Sequence, residues 1–249
     1  MAIATDIAII GGTGLTALPG LEIRHREVVR TPWGEASGPI THGIFAGQGV
    51  AFLPRHGSGH TIPPHKVNYR SNIWALKQIG IKRVVAVAAV GGIHPAFKPA
   101  TLAIPDQIVD YTWSRGHTFF EDDLGEVVHV DFTEPYCPEL RARLVRAGAD
   151  AGVAALDWGT YGATQGPRLE SAAEIDRLER DGCHMVKITG MPEASLAREA
   201  ELRYAHCTVV ANAAAGRGEG IITMADINKN LQAGMQSART LLEHFMRSL

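Results

Sequence analysis

The chain has little of what would place it outside an ordinary reducing cytoplasm. It carries three cysteines, Cys137, Cys183 and Cys207. They lie far apart with no C-x-x-C or metal-ligand spacing, and their odd number argues against a disulfide framework. Charge of one sign is not in excess. Twenty-four Lys and Arg stand against 26 Asp and Glu, a formal net charge of −2, with both signs spread along the chain. That excludes the electrostatic footprint of a nucleic-acid or membrane-surface protein. No apolar run approaches the ~18 residues of a membrane span. The opening "MAIATDIAIIGG" lacks the basic segment and long apolar stretch of a secretory leader, so a cytoplasmic location is expected. Internal repeats, linkers and low-complexity tracts are missing too. So are a G-x-S-x-G elbow, a Walker A loop and a nucleophile–histidine–acid set.

With 249 residues, 45% of them hydrophobic, the chain can bury one large core, and a single domain over 1–249 is expected. Short apolar runs alternate with segments of helical period. "DIAIIGG", "RVVAVAAVGG", "DWGTYGATQGP", "HMVKITGMPE" and "HCTVVANAAAG" read as strands, and "GIFAGQGVAFLPRHG" as a hairpin turning near Gly47–Gly49. "NYRSNIWALKQIG", "CPELRARLVRAGADAG", "SAAEIDRLERDG", "EASLAREAELRY" and the C-terminal "TMADINKNLQAGMQSARTLLEHFM" read as helices. A capping box is expected at Thr223 and Asp226. The continuously apolar "RVVAVAAV" implies a strand buried on both faces. This alternation makes an α/β sandwich around a mostly parallel sheet. The long irregular loop Arg115–Glu134 is of the kind that forms site lids or subunit contacts.

Three strand ends carry the candidate chemistry. "IIGGTGL" ends an apolar run in Gly11, Gly12 and Gly14, which lets backbone N–H groups approach an anion, with Thr13 adding a hydroxyl. A dinucleotide loop is the first thought, but it needs a helix at once and an acid about 20 residues on. "LTALPG" starts a helix poorly, and Glu22 and Glu27 lie in a charged, exposed-looking strand. A glycine turn without a ligand is the other reading. "PRHGSGHTIPPHKVNYRSN" brings Arg55, His56, His60, His65, Lys66 and Arg70 into one loop before a helix, a donor set for phosphate or a solvated basic loop. Its histidines have no carboxylate or cysteine at zinc spacing, so no metal is expected. "AAVGG" ends the buried strand, where ligands of open α/β sheets collect.

Together with "TEPYCPELR", "GPRLES" and "TGMPEASLAREAEL", these stretches resemble the trimeric purine nucleoside phosphorylases, most closely in pattern the methylthioadenosine phosphorylase branch. The resemblance runs from Ile9 to the last helix. It implies a three-layer sandwich with a central mixed, mostly parallel sheet, a homotrimer and no cofactor. Inorganic phosphate is then a co-substrate that attacks C1′ of a purine nucleoside and releases the base. It also implies a phosphate site at Thr13, Arg55, His56, the Ala89 backbone and Thr189. Ile188 stands where the family has methionine against the ribose, and Ala88 where the methylthioadenosine branch has threonine.

Two pockets set the expected substrate. The adenine-specific branch carries two aspartates where this chain has Asn212 and Ala214. Asparagine offers both a donor for a 6-oxo group and an acceptor for N7–H. Glu170 lines up with the glutamate that accepts N1–H of a 6-oxopurine, and Leu169 replaces a stacking phenylalanine. At the sugar's 5′ end, Met224 beside Ile222 replaces a histidine that faces a hydroxyl, and an apolar, polarizable wall suits a methylthio group. His129 resembles the residue a neighbouring subunit adds there. The expectation is phosphorolysis of S-methyl-5′-thioinosine to hypoxanthine and 5-methylthioribose 1-phosphate, with Asn212 and Glu170 as the catalytic pair. Methylthioadenosine and inosine or guanosine are the alternatives, and an NAD(P)-binding oxidoreductase is the rival outside the class.

Overall fold

The computed structural model describes residues 5–122, 125–219 and 223–249. In chain order the elements are β1 (Ile7–Gly11), β2 (Glu22–Glu27), β3 (Arg30–Thr31), β4 (Gly34–Glu35), β5 (Ile40–Phe45), β6 (Gln48–Pro54), α1 (Tyr69–Gln78), β7 (Arg83–Gly92), β8 (Leu102–Ala103) and β9 (Gln107–Asp110). Then follow α2 (Pro138–Asp150), β10 (Ala155–Leu156), β11 (Thr160–Ala163), α3 (Ala172–Arg180), β12 (Met185–Lys187), α4 (Glu193–Glu199), β13 (Arg203–Ala213) and α5 (Met224–Arg247). No helix among the described residues is long and apolar enough to cross a membrane.

Eleven strands form one mixed sheet whose main path runs β10-β8-β13-β7-β1-β6-β5-β2. β7 lies at its centre, parallel to β1 and to β13. Its side chains alternate between two cores. Val84, Ala86 and Val90 pack with Ile73 and Leu76 of α1 and Leu196 of α4. Val85, Val87 and Ala89 pack with Leu140 and Leu144 of α2 and Leu241 and Phe245 of α5. Helices on both faces are why this strand has no polar alternation. A smaller cluster puts Ile175 and Leu178 of α3 on Val186 of β12. The expected three-layer arrangement is therefore present.

Local chemistry accounts for most boundaries. The β5–β6 hairpin turns at Ala46 and Gly47, both at positive φ (51° and 86°), slightly before the expected position. Asn68 caps α1 by accepting from Ser71 N. A full capping box holds α3, where Ser171 and Glu174 exchange bonds with each other's backbone N–H. At α5 only half of the expected box forms. Thr223 accepts from Asp226 N, but the Asp226 carboxylate receives the Thr223 hydroxyl rather than a backbone N–H. β1 is followed by turns and not by a helix, so the dinucleotide geometry is absent.

Helix α5 approaches the sheet so closely that a Cβ at Gly234 would fall 2.3 Å from Val209 Cγ1 of β13. Helix propensity alone would favour Gly234→Ala by about 1 kcal/mol. Overpacking at such a contact costs about 1–3 kcal/mol, and we expect it to win. A thermal melt of Gly234→Ala should show a Tm lower by roughly 2–8 °C; an unchanged or raised Tm would mean that α5 does not pack this tightly.

Candidate active site

Because β1, β6, β7 and β13 run parallel, their carboxyl ends open on one side of the sheet. Gly11 pairs with Pro54, and Arg55 N donates to Gly11 O at 2.8 Å, so the glycine turn and the Arg55–His56 pair are locked side by side. Gly12 is glycine for a steric reason. A Cβ there would lie 2.6 Å from Arg55 Nη1 and 2.8 Å from Val87 O. The Arg55 guanidinium is thus aimed at the glycine loop.

Arg55 is wholly buried. Its Nε and Nη2 donate to the two carboxylate oxygens of Glu193 at 2.6 and 2.8 Å, and its Nη1 donates to Val87 O at 3.0 Å. Burial opposes both charges, yet each ion holds the other charged: Arg55 stays above the usual arginine range and Glu193 below the usual carboxylate range. Tyr204 donates to Glu193 at 2.7 Å, and the buried His206 ring lies against that hydroxyl. Two of the five guanidinium N–H groups remain uncommitted. Sequence reasoning missed Glu193, Tyr204 and His206. The available signal was an acid opening the helix "EASLA", whose next turns are apolar and buried.

His56 is pushed down to about 4 by burial and then by Arg55. Its Nδ1 lies 2.8 Å from Ile62 O, and a carbonyl can only accept. His56 is therefore a neutral imidazole with its proton on Nδ1, and Nε2 presents a lone pair. Sequence reasoning had cast it as a donor; the structure makes it an acceptor. His60 stacks at a tilt on His56 with ring centroids 4.7 Å apart, and its Nε2 reaches Thr13 Oγ1 at 3.5 Å.

β12 runs antiparallel to β7, Met185 opposite Gly92 and Val186 opposite Gly91. The chain then doubles back along β7, carrying Lys187, Ile188 and Thr189 toward the Ala89 end. One cavity beside them is lined by Gly91, Leu169, Glu170, Val186, Lys187, Ile188, Asn212, Ala214 and Ala215. The structure thus brings together Leu169, Glu170, Ile188, Asn212 and Ala214, all expected nucleoside contacts. Glu170 receives the Thr164 hydroxyl at 2.6 Å. Asn212 follows a bulge at Ala211, and its Nδ2 donates to Ala213 O at 2.7 Å, leaving Oδ1 free to accept. The bulge is fixed by Asn230 of α5, which donates to Ala211 O at 3.0 Å.

Arg115 clamps the two loops of this cavity. It donates to the carbonyls of Ile188 at 2.9 Å and Gln165 at 2.8 Å, and also to that of Met191. Nothing in the sequence flags that role. His129 is exposed and lines none of the described cavities that hold the other residues. Ile222 lies outside the described residues; Met224 opens α5, and of its side chain nothing is described. The one described group with metal-ligand geometry, His25, Glu27 and His42, sits at the β2–β5 edge, away from the expected phosphate loop.

Known proteins resolve what this geometry belongs to. The family model described as "Phosphorylase superfamily" matches residues 6–247. The chain belongs to the phosphorylase superfamily. It is 56% identical over 238 residues to a probable S-methyl-5′-thioinosine phosphorylase of Pseudomonas syringae, covering 96% of this chain and 97% of that one. It is 46% identical to the 6-oxopurine nucleoside phosphorylase of Pyrococcus furiosus, covering 91% and 86%. Among solved structures, methylthioadenosine phosphorylase of Schistosoma mansoni bound to adenine superposes with a TM-score of 0.92 at 28% identity, covering 97% and 90%. A phosphorylase fold rather than an oxidoreductase thus carries the glycine loop.

Two stability measurements check the buried network. Glu193→Gln leaves a buried guanidinium without its counter-charge, a loss of about 3–5 kcal/mol. Urea unfolding should show a lower midpoint with an unchanged slope. His206 is pushed down to about 3 by burial and stays neutral in the fold, whereas the unfolded chain takes up a proton below the ordinary 6.5. The unfolded state then binds more protons, so stability falls as pH drops from 6.5 toward 3. Melts between pH 7 and 5 should show this slope, and His206→Gln should flatten it.

Proposed function

We propose that the chain is a purine nucleoside phosphorylase, a pentosyltransferase whose preferred reaction converts S-methyl-5′-thioinosine and phosphate to hypoxanthine and 5-methylthioribose 1-phosphate. The single observation that supports it best is the convergence of Glu170 and Asn212 on one cavity that Ile188 also lines. Residues 1–249 act as one domain, in the cytoplasm, as a homotrimer in which His129 of a neighbouring subunit closes the 5′ pocket lined by Ile222 and Met224. No cofactor takes part.

The phosphate site is assigned to Thr13, Arg55, His56, the Ala89 backbone and Thr189. The two uncommitted N–H groups of Arg55 meet unprotonated phosphate oxygens. The His56 Nε2 lone pair accepts the phosphate's own O–H, which orients the remaining oxygens toward C1′. Because Glu193 and Val87 hold Arg55 before phosphate arrives, the positive charge needs no reorganisation when the sugar becomes oxocarbenium-like. At the base, Glu170 accepts N1–H of a 6-oxopurine and Asn212 Oδ1 accepts N7–H as it forms. Against adenine, whose N1 bears no proton, Glu170 would set acceptor against acceptor, and a buried mismatch of that kind discriminates strongly.

A phosphate-dependent base-release assay tests the reading. S-Methyl-5′-thioinosine should be cleaved with the highest kcat/KM among it, methylthioadenosine, inosine and guanosine, and omission of phosphate should abolish release. Best cleavage of methylthioadenosine would overturn the Asn212 and Glu170 assignment. Asn212→Asp combined with Ala214→Asp should shift the ratio toward 6-aminopurines by about 10-fold or more, and Met224→His should shift it toward a 5′-hydroxyl.

A further inference from the structure

Lys187 is the cation among the described residues that line the base cavity, and the reaction above leaves it without a role. It ends β12, and its carbonyl accepts from Thr164 N at 2.9 Å. The same Thr164 gives its hydroxyl to Glu170, so Lys187 and Glu170 are tied to one residue. Lys187 is half-buried and lines the cavity with Glu170, Ile188 and Asn212. Three titratable groups lie within reach of its charge. The Glu170 carboxylate acts on it through space and favours the ammonium, against the burial that disfavours it. Burial holds His56 and His60 below the ordinary histidine range, and the Lys187 ammonium adds to that at both rings. Along the chain Lys187 is followed by Ile188 of the base cavity and by Thr189 of the expected phosphate site, so it adjoins both.

An ammonium in that position answers a specific chemical need. When a phosphate oxygen bonds to C1′, the C1′–N9 bond breaks and its electron pair passes into the purine ring. Negative charge builds on the ring until N7 takes a proton from water, and the N7–H so formed is the one that donates to Asn212 Oδ1. Glu170 is negative and Asn212 is neutral, so among the described residues nothing else lining the cavity offers positive charge to that developing anion. Resting on the reading of the site as a 6-oxopurine phosphorylase, we propose that Lys187 is a further catalytic residue: its ammonium hydrogen-bonds the departing purine and stabilises the negative charge that develops on it, while Glu170 holds the ring from its N1 side. The lysine keeps its proton throughout.

Lys187→Met keeps the length and apolar stem and removes the charge; Lys187→Arg keeps the charge. The two are compared on S-methyl-5′-thioinosine and on its 7-methyl derivative, whose base already carries a fixed positive charge and leaves without building an anion. Lys187→Met should lose about 100-fold in kcat/KM on the first substrate and less than about 3-fold on the second, and Lys187→Arg should recover part of the loss. Equal losses on both substrates would make Lys187 a structural support, and a gain in rate would make it a plug; either overturns the proposal. If the wild-type protein releases no base at all, the phosphorylase reading fails by itself. Lys187 is then judged by hypoxanthine titration: the proposal expects Kd to weaken about 10-fold in Lys187→Met, and an equal Kd, or no binding to wild type, overturns it.

Discussion

The bidentate pair between Arg55 and Glu193 is the constraint on which the rest of the site depends. Both side chains have no exposure, and they join four pieces of chain: the end of β6, the start of α4, the Val87 carbonyl of β7 and, through Tyr204, β13. Taking two such ions out of water costs several kcal/mol each, and an apolar pair of equal volume would often be as stable. Stability alone therefore does not explain the pair. What it does supply is a guanidinium whose position is over-determined before any ligand arrives. Gly12 is the visible consequence, because the guanidinium takes the space a side chain would fill.

The second organising feature is the reversal of direction at β12. Parallel strands alone would deliver backbone ends and loops to one side of the sheet. An antiparallel strand entering there sends Lys187, Ile188 and Thr189 back along β7. Residues about 100 positions apart in sequence thereby share one wall. Arg115 then fixes the two loops by donating to their carbonyls, and among the described residues it has no carboxylate partner. Burial lowers the basicity of that guanidinium, which is tolerable because backbone oxygens receive most of its N–H groups.

The neutral state of His56 follows from the same burial. Its proton is spent on Ile62 O and its neighbour is the Arg55 cation, so a second positive charge is disfavoured. A histidine beside an arginine in a sequence suggests two donors for an anion. The fold makes one a donor and the other an acceptor, a division that suits a ligand bearing both charge and a hydroxyl.

Much of this was legible in the sequence. The apolar run of β7, the helical periods of α1, α2 and α5, the glycine stop after α1 and the charged edge strand β2 all follow from local rules, because period and turn chemistry act over a few residues. The grouping of Leu169, Glu170, Ile188, Asn212 and Ala214 was reached through resemblance to a family rather than through spacing. Other features had no local signature. Glu193 as the partner of Arg55, the Arg115 clamp, the bulge that aims Asn212 and the tautomer of His56 each depend on atoms far away in sequence. The sequence by itself determined which segments become strands and helices, and which strand ends are bare enough for an anion to approach. Only the tertiary structure decided which charges meet, because an ion's partner, protonation and worth are set by what surrounds it once water is gone.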